Sequence, residues 1–163
     1  METTQINPFE WASFQFVLRA RLHDDEAAII LKGHLLIEYL LNRIIEKKLT
    51  TSTKLLKLNF SQKVKELRSR GLLSRPLQEN IERLNRFRNK LVHQLDFSIN
   101  REDMLFTKDS GEVMNVKPKK ARYPERYYYR LLCGAIITVL TNHMLVNLKV
   151  DPRYLEDTNT NKP

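Results

Sequence analysis

The chain has 163 residues, of which 42% are hydrophobic and 29% charged, with a net charge of +9. That length supports one domain with a real core, and the balance is that of an ordinary water-soluble globular protein, which excludes a fibrous or wholly disordered chain. A single cysteine, Cys133, excludes a disulfide framework and predicts a reducing, cytoplasmic setting, and the opening Met1-Glu2-Thr3-Thr4 is not a signal peptide.

Few glycines and prolines and long stretches of helical periodicity predict an all-α protein. A first helix is expected over 7–22, where Asn7 offers an N-cap, Pro8 the first helical position and Glu10 a capping-box partner. A second is expected over 24–49, apolar on most sides as the central helix of a bundle must be. The run Thr50-Thr51-Ser52-Thr53 breaks it. A third helix, over 61–70, stops at Gly71. A fourth, over 76–97, has one apolar arc made by Ile81, Leu84, Phe87, Leu91, Val92 and Leu95. Residues 98–122 lose the helical pattern, and two short runs around Asp109-Ser110-Gly111 predict a small β-hairpin within 103–116. A fifth helix starts at Pro124 and ends before Asp151-Pro152. Its stretch 131–148 has no charged residue but is interrupted by Thr141, Asn142 and His143, so it is expected to be a buried helix and not a membrane span. The expectation is a five-helix up-down bundle with a hairpin insertion, a single domain over 1–150 and a polar, flexible tail over 151–163.

The charge is unevenly placed. Residues 43–90 hold 14 Lys/Arg against 4 Asp/Glu, and residues 117–130 hold 6 against 1. Clustered cations of this kind are the electrostatic footprint of a nucleic-acid binder, although a solvated basic surface has the same composition. Arg83, Arg86, Lys90, Lys119, Lys120 and Arg122 are the candidate RNA contacts.

The most informative residues lie inside the fourth helix: Arg88-Asn89-Lys90-Leu91-Val92-His93. Arg88 falls within the apolar arc. Along one edge of that arc Asn85, Asn89 and His93 recur every four residues and therefore stack on one side. An arginine on a packed stripe is costly unless paired, and beside an amide and an imidazole it is the group that phosphate chemistry requires. On the second helix, His34 and Glu38 share the side of Leu31, Leu41 and Ile45 and are expected to point inward. Glu38 is the candidate carboxylate to balance Arg88, unless it lies at an exposed edge. Neither metal-ligand spacing, a phosphate-cradling glycine loop nor a nucleophile elbow is present in the sequence, so no metal and no cofactor are expected. A helix-turn-helix around Gly71 is disfavoured, because the base-reading positions of the fourth helix are apolar.

The run Arg88 to His93 resembles the Arg-x4–6-His signature of the HEPN superfamily, in which a polar residue commonly follows the arginine, as Asn89 does here. Gly33-His34-Leu35-Leu36-Ile37-Glu38 on a long second helix, followed by Lys63-Val64-Lys65-Glu66-Leu67, is similar to the setting of that motif in HEPN bundles. The pattern from Leu84 to His93 is most similar to the subset related to the mannitol-operon regulator. The resemblance extends over residues 24–97.

The resemblance implies one of two functions. Catalytic members are metal-independent endoribonucleases that dimerise to form a composite site. Arg88 would then hold the scissile phosphate, His93 would act as general base or acid on the ribose 2′-hydroxyl, and Asn89 would orient one or the other. The products would be a 2′,3′-cyclic phosphate and a 5′-hydroxyl, and RNA would be the substrate. Such enzymes serve as toxins or in antiviral defence, so an antitoxin or other regulatory protein is a further implied partner. Other members, the regulator group among them, are non-catalytic interaction or regulatory modules. Arg88 and His93 are five residues apart, which sets them about 140° apart on a regular helix. A single chain therefore presents them poorly to one phosphate, and either a second copy or a distorted turn is needed.

Overall fold

The computed structural model describes residues 7, 26–50, 52–93, 104–117, 120 and 122–153. The first described helix, α1 (Glu26–Lys48), buries Ile29, Ile30, Leu36, Ile37, Leu40, Leu41, Ile44 and Ile45. These pairs fall on one half of the helix, and Leu35 on the opposite side is 61% exposed, so α1 packs through one broad face and is not apolar on most sides as the sequence suggested. Each fully buried Ile or Leu contributes about 1.5–3 kcal/mol, which makes α1 the axis of the core.

A short helix, α2 (Ser52–Leu56), begins within the run 50–53 expected only to break the chain and continues past it. The next, α3 (Phe60–Ser69), is set by its cap: Asn59 Oδ1 accepts from the Gln62 amide while Gln62 Oε1 accepts from the Asn59 amide, both at 3.0 Å. Gly71, at φ +70°, takes the chain out of α3 in a left-handed conformation that a side chain would strain. Helix α4 (Arg75–His93) buries Leu77, Ile81, Leu84 and Phe87 along one stripe, and Phe87 meets Tyr129 edge-on at 5.6 Å between ring centroids.

Strands β1 (Leu105–Thr107) and β2 (Val113–Asn115) form the antiparallel hairpin, with Phe106 opposite Met114. It is fastened to α4 by Asn80. The buried amide donates from Nδ2 to the Thr107 carbonyl at 2.8 Å and accepts from the Thr107 N–H at 2.7 Å.

The last helix, α5 (Glu125–Asn142), makes its largest contact with α1 and runs on through a π-helical turn, His143–Leu148. The continuous run Glu125–Leu148 is long and apolar enough to cross a membrane by length and composition. Here Tyr129, Leu132, Cys133, Ile136, Ile137 and Leu140 pack into the shared core instead. Burial pushes the Cys133 thiol up to about 12, so it is held as an unreactive thiol.

The fold is an all-α bundle with a small β insertion, and five of its helices are described. The helix expected over 7–22 lies outside the described residues, Asn7 apart, as does the stretch 94–97, with Leu95, where the fourth helix was expected to end. Of the expected tail, 154–163 lie outside the described residues, while its start is held to the bundle: Tyr39 Oη donates to the Pro152 carbonyl at 3.1 Å and Arg43 Nη2 to the Arg153 carbonyl at 2.9 Å. Two buried or half-buried side chains of α1 need acceptors, and the backbone after α5 supplies them.

Candidate functional site

Three elements converge on one open cleft of about 390 Å³. Helix α1 contributes His34 and Glu38, the first turn of α3 with its cap contributes Asn59, Phe60 and Ser61, and α4 contributes Asn85, Arg88 and Asn89. Five residues singled out in the sequence, His34, Glu38, Asn85, Arg88 and Asn89, are thus brought together from two helices about 50 residues apart in the chain.

A relay of hydrogen bonds fixes the inner wall. Asn85 Nδ2 donates to Ser61 Oγ at 3.0 Å, which leaves Asn85 Oδ1 to accept from His34 Nε2–H, also at 3.0 Å. The His34 ring lies over Phe60 at 4.1 Å between centroids. Burial lowers the His34 pKa below its ordinary range. The nearby Arg88 charge adds to this, against the opposing effects of the Asn85 bond and Glu38. His34 is therefore neutral at pH 7.

Glu38 does not balance Arg88. Its Oε1 accepts from Lys63 Nζ at 3.0 Å. The Lys63 side chain is only 5% exposed, against 32% for Glu38, so the lysine is the cation with most to lose from lacking a carboxylate. Arg88 is half-buried and uses Nη1 to reach Asn89 Oδ1 at 3.1 Å, while its Nε is buried without a hydrogen-bond partner. The N-terminal end of α3 opens on the same cleft and adds the positive end of its helix dipole. A guanidinium lining a cleft beside a helix N-terminus is an arrangement of charge complementary to an oxyanion.

His93 is exposed on the last turn of α4 and does not line the cleft. The helix is regular through that turn, so no local distortion carries His93 round to Arg88.

The expected RNA contacts divide. Arg86, Lys120 and Arg122 are exposed, and Lys90 is half-buried. Lys119 lies outside the described residues. Arg83 is half-buried and donates from Nη1 to Thr107 Oγ1 at 2.7 Å, which ties it to the hairpin. Lys63 and Arg43, within the same basic zone, are also committed to internal partners. Sequence patterning missed Asn59, Phe60, Ser61 and Lys63 as neighbours of the motif. The one available signal was the cap at Asn59, which places a helix start there.

No family model matches this chain, and neither does any curated protein or solved structure.

Proposed function

We propose that this chain is an endoribonuclease of HEPN type, a toxin or antiviral defence enzyme whose working site forms when two copies meet. The observation that carries the reading is Arg88: a half-buried guanidinium that lines a cleft shared with Asn89 and the start of α3. Arg88 and the α3 dipole would hold the scissile phosphate and absorb charge as it develops on the non-bridging oxygens. His93 of one copy would remove the 2′-hydroxyl proton or protonate the leaving 5′-oxygen, with Asn89 steadying the phosphate. Because α4 stays regular through His93, a second copy is the way left to bring imidazole and guanidinium together. His34 is neutral and takes a positioning role through Asn85.

The non-catalytic regulatory module is the second reading. It is favoured by the position of His93, outside the cleft that holds Arg88.

The deciding experiment is digestion of single-stranded RNA in the presence of EDTA. The enzyme reading expects cyclic phosphate ends, with activity falling by at least about 100-fold in His93→Ala and in Arg88→Ala, the scale of a lost general base or oxyanion contact. Digestion by both variants at the wild-type rate would identify contamination and leave the module reading.

A further inference from the structure

Away from the cleft, the approach to α5 carries two exposed tyrosines with no role in the core. Tyr123 is 57% exposed and Tyr127 is 42% exposed, and their rings lie against each other at 4.7 Å between centroids, tilted by 37°. Side chains of this size usually turn an apolar face inward, so a paired, outward-facing set is a surface feature in need of a partner.

The pair is held in place from below. Tyr128, 3% exposed, accepts at its hydroxyl oxygen from the backbone N–H of Arg122 at 3.1 Å and of Tyr123 at 3.4 Å. Its ring also meets Tyr127 edge-on at 5.6 Å. The segment bearing Tyr123 is thereby tied to the helix bearing Tyr127, and little ordering remains to be done on binding.

The surrounding charge is one-sided. The only carboxylate in 117–130, Glu125, is already engaged by Lys117 and by the Tyr129 hydroxyl. Lys120, Arg122 and Arg126 are exposed, Arg122 adjoins Tyr123 and Arg126 adjoins Tyr127 in the chain, and none has an ion-pair partner among the described residues. Exposed aromatic rings with unpaired cations next to them in the chain fit a flexible polyanion with unstacked planar groups.

We propose that Tyr123 and Tyr127 form a stacking platform for the bases of single-stranded RNA, whose phosphates are held by Lys120, Arg122 and Arg126. This rests on the reading of the protein as an RNA enzyme and extends it, by giving the substrate a second contact and a strandedness. A duplex keeps its bases stacked internally and could use only the cations.

The test uses the full chain and a fluorescein-labelled 2′-O-methyl pyrimidine 12-mer, which resists cleavage because its 2′-oxygen carries no proton. Fluorescence anisotropy at low salt should show Tyr123→Ala and Tyr127→Ala each weakening binding at least about fivefold. Tyr123→Phe and Tyr127→Phe should bind as the wild type does, since they keep the ring. Lys120→Ala, Arg122→Ala and Arg126→Ala should each reduce the salt dependence. A 12-base-pair duplex should bind more weakly than the single strand. Wild-type affinity in both alanine variants, with unchanged circular dichroism, would overturn the platform. Equal affinity for duplex and single strand would reduce it to a charged patch and also overturn it, as would binding of an acidic peptide but of no oligonucleotide. The two readings fail separately: a protein that cleaves nothing yet loses oligonucleotide binding with the tyrosines keeps the platform without the nuclease.

Discussion

Lys63 donates to Glu38 at 3.0 Å across the gap between α3 and α1, and through that bond the one carboxylate among the residues lining the cleft is engaged by a cation other than Arg88. The arginine lines the cleft without a carboxylate among the described residues, and the buried lysine keeps its counter-charge. The paired lysine and the unpaired arginine should respond differently to mutation.

Glu38→Ala strands a buried ammonium and should lower stability by about 1–3 kcal/mol, moderated by the partial exposure of the carboxylate. Arg88→Ala strands no carboxylate and should cost less than about 1 kcal/mol. Urea unfolding of the two variants beside the wild type measures both. A larger loss from Arg88→Ala would mean that the arginine is structural.

The depressed pKa of His34 predicts a pH dependence with a definite sign. In the unfolded chain the imidazole takes up a proton below its ordinary value of about 6.5, while in the folded chain it remains neutral to lower pH. The unfolded state binds more protons in that window, so stability contributed by His34 is complete above about pH 6.5 and is lost as pH falls through the folded pKa. Urea midpoints compared at pH 7.5 and pH 5.5 should fall further for the wild type than for His34→Gln, which cannot titrate there. Parallel losses would remove His34 as the source.

Asn80 supplies both bonds that fasten the hairpin to α4. In Asn80→Ala the buried N–H and C=O of Thr107 lose their partners, each at a cost of about 1–3 kcal/mol. Asn80→Asp keeps the acceptor for the N–H but sets an oxygen against the carbonyl, so it should destabilise too. A thermal midpoint unchanged in both variants would show that the hairpin docks by other contacts.

A site shared between two copies requires a dimer at working concentration. Light scattering at micromolar protein should return twice the chain mass of 19.3 kDa. A strictly monomeric protein that still cut RNA would place the catalytic base elsewhere, with His34 the first residue to substitute, because it already lies in the cleft with Arg88.

Much of this architecture is legible in the sequence, and the residues show where legibility stops. Periodicity alone places the long apolar helix, the motif helix and the hairpin turn, because each follows from local repeats and turn chemistry. It also gathers His34, Glu38, Asn85, Arg88 and Asn89 on inward or edge positions, which the cleft then unites. Partner choice is another matter. Lys63 reads as one more cation of a basic helix, and only the packing of α3 on α1 buries it against Glu38. Arg83 reads as a free surface charge until the hairpin is laid beside it. The helix Ser52–Leu56 starts inside a run of threonine and serine, whose weak propensity is overridden by the burial of Leu55. The turn His143–Leu148 has an ordinary helical pattern, and nothing in it announces the wider winding.

The side chain of Asn80 carries the same donor and acceptor as a peptide group and meets Thr107 on both. To β1 it acts as a one-residue neighbouring strand lent by a helix. A strand from another molecule seeking to lengthen the sheet on that side would find the rung at Thr107 already taken, and with it the template from which edge-to-edge polymerisation begins. Sheet growth, if forced by heat or high concentration, would have to proceed from β2, where Val113 and Met114 are exposed. The hairpin therefore has a closed side and an approachable one, and an asparagine in the middle of α4 decides which is which.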